Sequence, residues 1–203
     1  MNKIYNLLAI LGLCALTLPA HAAMLSLAQI SEYFNGLKTL KSDFTQINND
    51  GSTVGGTLFI WRPGRMRFEY DPPLANLVLA SSGQLAIFDN KSNQPPTQYP
   101  LGRTPLKVIL QRNVNLGSAR MVTGHSYDGT FTRVKTQDPD HPEYGMVDLV
   151  FSDAPIKLRE WLLVDDMGNE TRLKLGVQVE GLPLPHRLFS IGAEINDRSL
   201  AQN

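Results

Sequence analysis

Residues 42–73 read S-D-F-T-Q-I-N-N-D-G-S-T-V-G-G-T-L-F-I-W-R-P-G-R-M-R-F-E-Y-D-P-P. A glycine-bearing turn (Gly51, Gly55, Gly56) leads into the strand-like run Thr57–Trp61. Arg62-Pro63-Gly64 then separates it from a second such run, Arg65–Tyr70. Proline fixes φ and glycine accepts positive φ, so Pro-Gly between two β-prone runs predicts a hairpin with Arg62 at its rim.

Short strands dominate the rest of the chain. Runs of strand character fall at residues 41–48, 55–61, 65–70, 74–80, 84–89, 119–122, 130–135, 146–151, 157–165, 170–179 and 188–191. Turn chemistry separates them, as at Ser81-Ser82-Gly83 and Asp128-Gly129. Gaps of hairpin size predict an antiparallel sheet. Two helices interrupt it. Ser26 and Gln29 fit a capping box, and Leu27, Ile30, Phe34, Leu37 and Leu40 follow at helical spacing, which predicts a helix over residues 27–37. Thr104-Pro105 offers an N-cap and a proline at the first helical position of a second, short helix whose apolar face is Leu106, Ile109 and Leu110. One long sheet with two apolar-faced helices is an α+β layer arrangement. Residues 90–102 read as a loop.

Export is written in the first residues. Lys3 precedes an apolar run, Leu7–Leu18, and Pro19 and Ala20-His21-Ala22 complete a signal peptide expected to be cleaved after Ala22. Cys14 lies inside the apolar run behind Leu13, which does not fit a lipidation site. It is the chain's one cysteine, so the processed form, residues 23–203, is expected to hold a single domain together by burial without disulfides. The full chain carries 19 Lys+Arg and 19 Asp+Glu, and loss of Lys3 leaves one negative charge in excess. That balance gives no support for nucleic-acid binding. A soluble, monomeric periplasmic protein is expected.

No catalytic pattern emerges. His125, His141 and His186 are scattered, and Asp138-Pro-Asp-His-Pro-Glu143 reads as a surface loop rather than a metal site. Asp165-Asp166 before Met167-Gly168-Asn169 is turn chemistry. Neither a nucleophile elbow nor a phosphate loop is present. No cofactor, metal or enzymatic activity is expected. What remains is apolar lining: alternation places Leu58, Ile60, Met66 and Phe68, together with Leu77, Leu79, Leu85, Ile87, Leu173, Leu175 and Val177, on an apolar sheet face. That face either is a filled core or borders a cavity beneath the helices. On spacing alone, Arg62 is a rim arginine in a surface ion pair worth about 0–1 kcal/mol.

The order F-x-Q, G-x-L-x-I-x-R-P-G-x-M-R-F-x-Y-x-P-P resembles the outer-membrane lipoprotein carrier family LolA. The likeness runs from about Leu37 to Ile191 and includes Ile87-Phe88-Asp89, Thr104-Pro105-Leu106, Asp166-x-Gly168-Asn169-x-Thr171 and residues 184–189. The Pro95-Pro96 loop and Tyr99-Pro100 depart from it, and the tail 196–203 is short and polar. The resemblance implies a curved, incompletely closed antiparallel β-barrel with helices over its open side. It implies a periplasmic carrier that takes acylated lipoproteins from an inner-membrane ABC transporter (LolCDE-type) to an outer-membrane acceptor (LolB-type) or a substitute. It makes Arg62 a latch that bonds backbone carbonyls of the covering helices. The expected cargo lining is Ile30, Phe34, Leu58, Ile60, Met66, Phe68, Leu106, Ile109 and Leu110. The alternative is a lipid- or lipoprotein-binding sensory module of the cell envelope on the same fold.

Overall fold

The computed structural model describes residues 23–201 apart from Asn93 and Ala119. The signal-peptide expectation therefore lies outside the described residues. Eleven strands form one antiparallel sheet: β1 (Thr39–Ile47), β2 (Thr53–Trp61), β3 (Arg65–Tyr70), β4 (Leu77–Ser81), β5 (Gln84–Phe88), β6 (Thr97–Pro100), β7 (Val122–Tyr127), β8 (Thr132–Gln137), β9 (Met146–Asp153), β10 (Ile156–Val164) and β11 (Glu170–Glu180). Their order is β6-β5-β4-β3-β2-β1-β11-β10-β9-β8-β7. Each strand pairs with its chain neighbour except at the centre, where β1 pairs with β11, and β6 and β7 remain as the two edges. This is the expected curved, unclosed antiparallel barrel.

The hairpin of the opening stretch is β2–β3, with Trp61 opposite Arg65 and Gly64 at φ +78 in the turn. Gly55 and Gly56 belong to β2 rather than to the preceding turn. Gly56 is needed for close approach: a Cβ there would sit 2.2 Å from the Glu69 carbonyl oxygen and 2.7 Å from the Phe44 ring. The sequence Leu74–Ala80 becomes strand only from Leu77, after a turn in which Ala75 adopts φ +49.

Three helices accompany the sheet. α1 (Leu27–Gly36) starts on the capping box: the Gln29 amide donates to Ser26 Oγ at 3.2 Å, and the Ser26 amide donates to Gln29 Oε1 at 2.9 Å. α2 (Lys107–Leu110) begins later than the Thr104-Pro105 signal predicts. The Thr104 hydroxyl donates back to the Leu101 carbonyl at 2.9 Å instead of capping, and the chain passes through turns before the helix proper. α3 (Ile191–Ala201) is a helix where a strand at 188–191 and a polar tail were expected. Ser190 caps it, accepting from the Ala193 amide at 3.2 Å.

The two faces of the sheet are covered differently. The concave face packs with α1, α2 and residues 114–116 into the main core, which includes Leu40, Phe44, Leu58, Ile60, Met66, Phe68, Leu149, Phe151, Leu158 and Trp161. The convex face of β2–β5 carries a second cluster in which Phe189 packs among Leu77, Leu79, Ala86 and Phe88. Leu77 and Leu79 therefore belong to the convex cluster, not to the concave lining. Val177 is 76 % exposed for a related reason. A bulge between the Ser42–Gln178 and Phe44–Leu175 pairs inserts a residue into β11 and reverses the alternation that puts Leu173 and Leu175 in the core.

Candidate functional site

Arg62 follows β2, but its side chain is not on the surface. It is 7 % exposed and, among the described residues, has no carboxylate within 4 Å. The ion-pair reading from spacing alone is thus replaced by a different arrangement. Nε donates to the Ile109 carbonyl at 2.7 Å and Nη2 to the Gln111 carbonyl at 2.7 Å. A planar guanidinium can reach two carbonyls at the end of one helix because its donors are fixed in a fork. The turn itself adds a third tie, from the Gly64 amide to the Leu110 carbonyl at 2.9 Å. Burial pulls the Arg62 pKa below its ordinary value, partly opposed by the nearby Tyr33.

The resemblance implies that this arginine bonds the covering helices. Its side-chain hydrogen bonds go to α2 and the residue that follows it. Toward α1 it makes a cation–π contact, its guanidinium carbon lying 5.7 Å from the centre of the Phe34 ring. Phe34 is held edge-on to Phe151 at 5.7 Å and beside Tyr33 at 5.6 Å. The Tyr33 hydroxyl accepts from the Leu158 amide of β10 at 3.3 Å, and burial pushes its pKa up to about 12.

The nine residues expected to line a cargo site are brought together. Ile30, Phe34, Leu58, Ile60, Met66, Phe68, Leu106, Ile109 and Leu110 are all buried in the one concave cluster. Alternation along β2 and β3 supplies the floor, with Leu58 opposite Phe68 and Ile60 opposite Met66. α1 and α2 supply the roof. The two apolar faces are in contact within one buried cluster.

Other contacts fix the roof and were not read from the sequence. The Asn35 side chain bonds both backbone groups of Val114: Nδ2 donates to its carbonyl at 2.8 Å and Oδ1 accepts from its amide at 2.9 Å. Ser31 Oγ accepts from the Leu116 amide at 3.0 Å. Lys107 of α2 pairs with Asp138, and its ammonium holds that carboxyl below its ordinary pKa. The one signal for the first two was a polar pair, Ser31 and Asn35, four residues apart on a helix.

The histidines lie apart. His125 Nε2 is 2.8 Å from the Leu25 carbonyl, His141 pairs with Glu143 and stacks on Tyr144, and His186 packs on Trp61 with ring centres 4.5 Å apart. Asp165 accepts from the Met167 and Asn169 amides, as a turn aspartate does. Among the described residues, no three His, Cys, Asp or Glu side chains gather to hold a metal. No helix among them is long and apolar enough to cross a membrane.

A family model described as "Outer membrane lipoprotein carrier protein LolA" matches residues 35–192. A Chromobacterium violaceum "Outer-membrane lipoprotein carrier protein" is 28% identical over 202 residues, covering 94% of each chain. The protein of that name from Cupriavidus taiwanensis is 26% identical over 192 residues, covering 89% of each. Among solved structures, a putative outer membrane lipoprotein-sorting protein domain from Vibrio parahaemolyticus superposes with a TM-score of 0.51 at 11% identity, covering 83% of this chain and 97% of its own; at that identity the likeness concerns the fold. The chain belongs to the LolA family of outer membrane lipoprotein carrier proteins.

Proposed function

We propose that this protein is a non-catalytic periplasmic carrier that shields lipoprotein acyl chains between the concave sheet face and its helical roof, moving lipoproteins from the inner to the outer membrane. The observation that carries the reading is a buried, charged arginine fastening a short apolar helix over an apolar sheet. A charge buried for stability alone is a poor investment, because desolvation offsets most of its attraction. A fastening that is only modestly favourable suits a roof that must open and reclose.

Acyl chains need such a shelter, since each buried CH₂ contributes about 0.8 kcal/mol to retention in a membrane. Lifting Leu106, Ile109 and Leu110 off Leu58, Ile60, Met66 and Phe68 would give the chains an apolar bed of matching chemistry. Reclosure through Arg62 would then favour release. Extraction energy has to be supplied from outside, and an inner-membrane ABC transporter of LolCDE type is the proposed donor. An outer-membrane acceptor of LolB type, or a substitute, is the proposed recipient.

The test is to add the purified protein to spheroplasts that display a radiolabelled outer-membrane lipoprotein. The proposal expects the lipoprotein to leave the membrane as a soluble complex with this protein. A lipoprotein that stays in the pellet at saturating carrier concentration would sink it.

A further inference from the structure

We infer that the roof opens as a leaf of residues 102–113, with α1 remaining on the sheet, and that Asn35 is the positioning residue that fixes the leaf's far end. The inference rests on the carrier reading for its purpose but not for its test.

The ties of the roof fall into two groups. The first group fixes everything around the leaf. The Leu101 amide donates to the Gly83 carbonyl at 2.8 Å, which ends the leaf on one side. The Asn35 carboxamide takes both backbone groups of Val114, which ends it on the other. Val114 and Leu116 are buried beneath α1, and Ser31 bonds the Leu116 amide. α1 in turn is joined to the sheet at both ends. The Leu25 amide donates to Thr132 Oγ1 at 2.9 Å, the Leu158 amide donates to Tyr33, and the chain runs from the end of α1 directly into β1.

The second group fastens the leaf itself. It consists of Arg62 to the Ile109 and Gln111 carbonyls, the Gly64 amide to the Leu110 carbonyl, and Lys107 to Asp138. None of these hydrogen bonds or ion pairs is made to α1, which meets Arg62 through the Phe34 ring. Breaking them frees residues 102–113 while leaving the hydrogen bonds of α1 to Val114, Leu116 and Leu158 made. A carboxamide that bonds both the amide and the carbonyl of one residue fixes that residue in position and orientation, as a hinge pin must. Without Asn35, release of Arg62 would pass on to residues 114–116 and expose the underside of α1 as well.

Four amides report the scheme directly, because each donates across one tie: Gly64 across the latch, Val114 and Leu116 across the clamp, and Leu158 across the α1 anchor. Residue-resolved hydrogen exchange on the cargo-free protein is the experiment. Gly64 should exchange on the order of tenfold or more faster than Val114, Leu116 and Leu158, since local openings exchange their own amides only. Arg62→Leu should speed Gly64 alone. Asn35→Ala should bring Val114 and Leu116 up to the Gly64 rate while leaving Leu158 slow. Gly64, Val114 and Leu158 sharing one exchange rate in the wild type would overturn the inference, because the roof would then lift as one body.

A cross-linking arm separates this inference from the carrier reading. The processed chain has no cysteine, so Asn35→Cys/Val114→Cys and Lys107→Cys/Asp138→Cys can each be joined by a short bis-thiol reagent. The probe is a fluorescent diacyl lipopeptide. The 35–114 cross-link should leave probe binding intact, and the 107–138 cross-link should abolish it. Loss of binding in the 35–114 product, with the wild type binding normally, contradicts the leaf. A wild type that does not bind the probe contradicts the carrier reading, and the exchange rates still decide the leaf.

Discussion

Replacing Arg62 by leucine isolates the latch from the fold. The substitution removes two charge-assisted hydrogen bonds of 2.7 Å and leaves the Ile109 and Gln111 carbonyls without those donors when the roof is shut. A hydrogen bond to a charged group contributes about 1.5–3 kcal/mol net. Against two of these stands the several-kcal/mol desolvation of a buried guanidinium, which leucine abolishes. The closed form should lose a net of about 2 kcal/mol, or roughly 30-fold in its ratio to the open form. Cargo that binds only the open form gains apparent affinity in proportion to the open fraction, so lipopeptide affinity should rise by up to about 30-fold. Release to an acceptor should slow correspondingly. Titration of wild type and Arg62→Leu with a fluorescent diacyl lipopeptide measures this, with far-UV circular dichroism to verify folding. Arg62→Lys should fall between them, because a point charge cannot span both carbonyls as a planar fork does. A folded Arg62→Leu protein with unchanged or weakened affinity would refute the latch.

Gly56→Ala forces a Cβ to within 2.2 Å of the Glu69 carbonyl oxygen, and the stability lost should be about 2–3 kcal/mol by urea denaturation. Phe34→Ala empties a fully buried site edged by Tyr33 and Phe151 and should cost about 3–5 kcal/mol in the same assay. Lys107 holds the Asp138 carboxyl below its usual range, so their pairing stabilises the protein above about pH 4 and is lost as pH falls toward the depressed value. Urea midpoints followed from pH 7 to pH 3 should therefore fall less steeply in Asp138→Asn than in wild type. Phe189→Ala should destabilise by about 3 kcal/mol and loosen α3, seen as earlier proteolysis of the C-terminal segment.

The parts of this fold that could be read in the sequence are those with local causes. The Ser26–Gln29 capping box starts α1 because its reciprocal bonds lie within four residues, and Arg62-Pro63-Gly64 turns the hairpin because proline and glycine need no distant partner. Concave positions such as Leu58, Ile60, Met66 and Phe68 followed from simple alternation. What was misread depends on distant contacts. α3 carries Gly192, Asn196, Asp197 and Ser199, poor helix formers, and has no buried residue of its own. It is fixed from outside, by Phe189 in the convex cluster and by Arg67, which bonds the Leu188 carbonyl at 3.1 Å and Glu194 at 3.2 Å. β6 is an exposed edge strand ending at Pro100, so neither burial nor propensity marks it within the loop expected at 90–102. β7, the other edge, begins at Val122, where the strand expected at 119–122 was to end; its polar run Thr123-Gly-His-Ser126 hides it, and Ala119 is outside the described residues.

The site divides along the same line. Arg62 could be singled out through the family likeness, yet its destination depends on where α2 comes to rest, 47 residues away in sequence from the first carbonyl it meets. Asn35 offered only its place four residues after Ser31 on one helix, because its role exists only once Val114 has been brought 79 residues back to it. The β11 bulge shows the limit from the other side: one added residue turns Val177 outward, and no period-two pattern foretells it.

The central claim is that this protein carries lipoproteins away from the inner membrane and that Arg62 governs the exchange. The most direct measurement depletes the protein in its native cell and follows a model outer-membrane lipoprotein by membrane fractionation. The account predicts that the lipoprotein accumulates in the inner membrane and that wild type restores its sorting while Arg62→Leu does not. Normal outer-membrane delivery in fully depleted cells would contradict it.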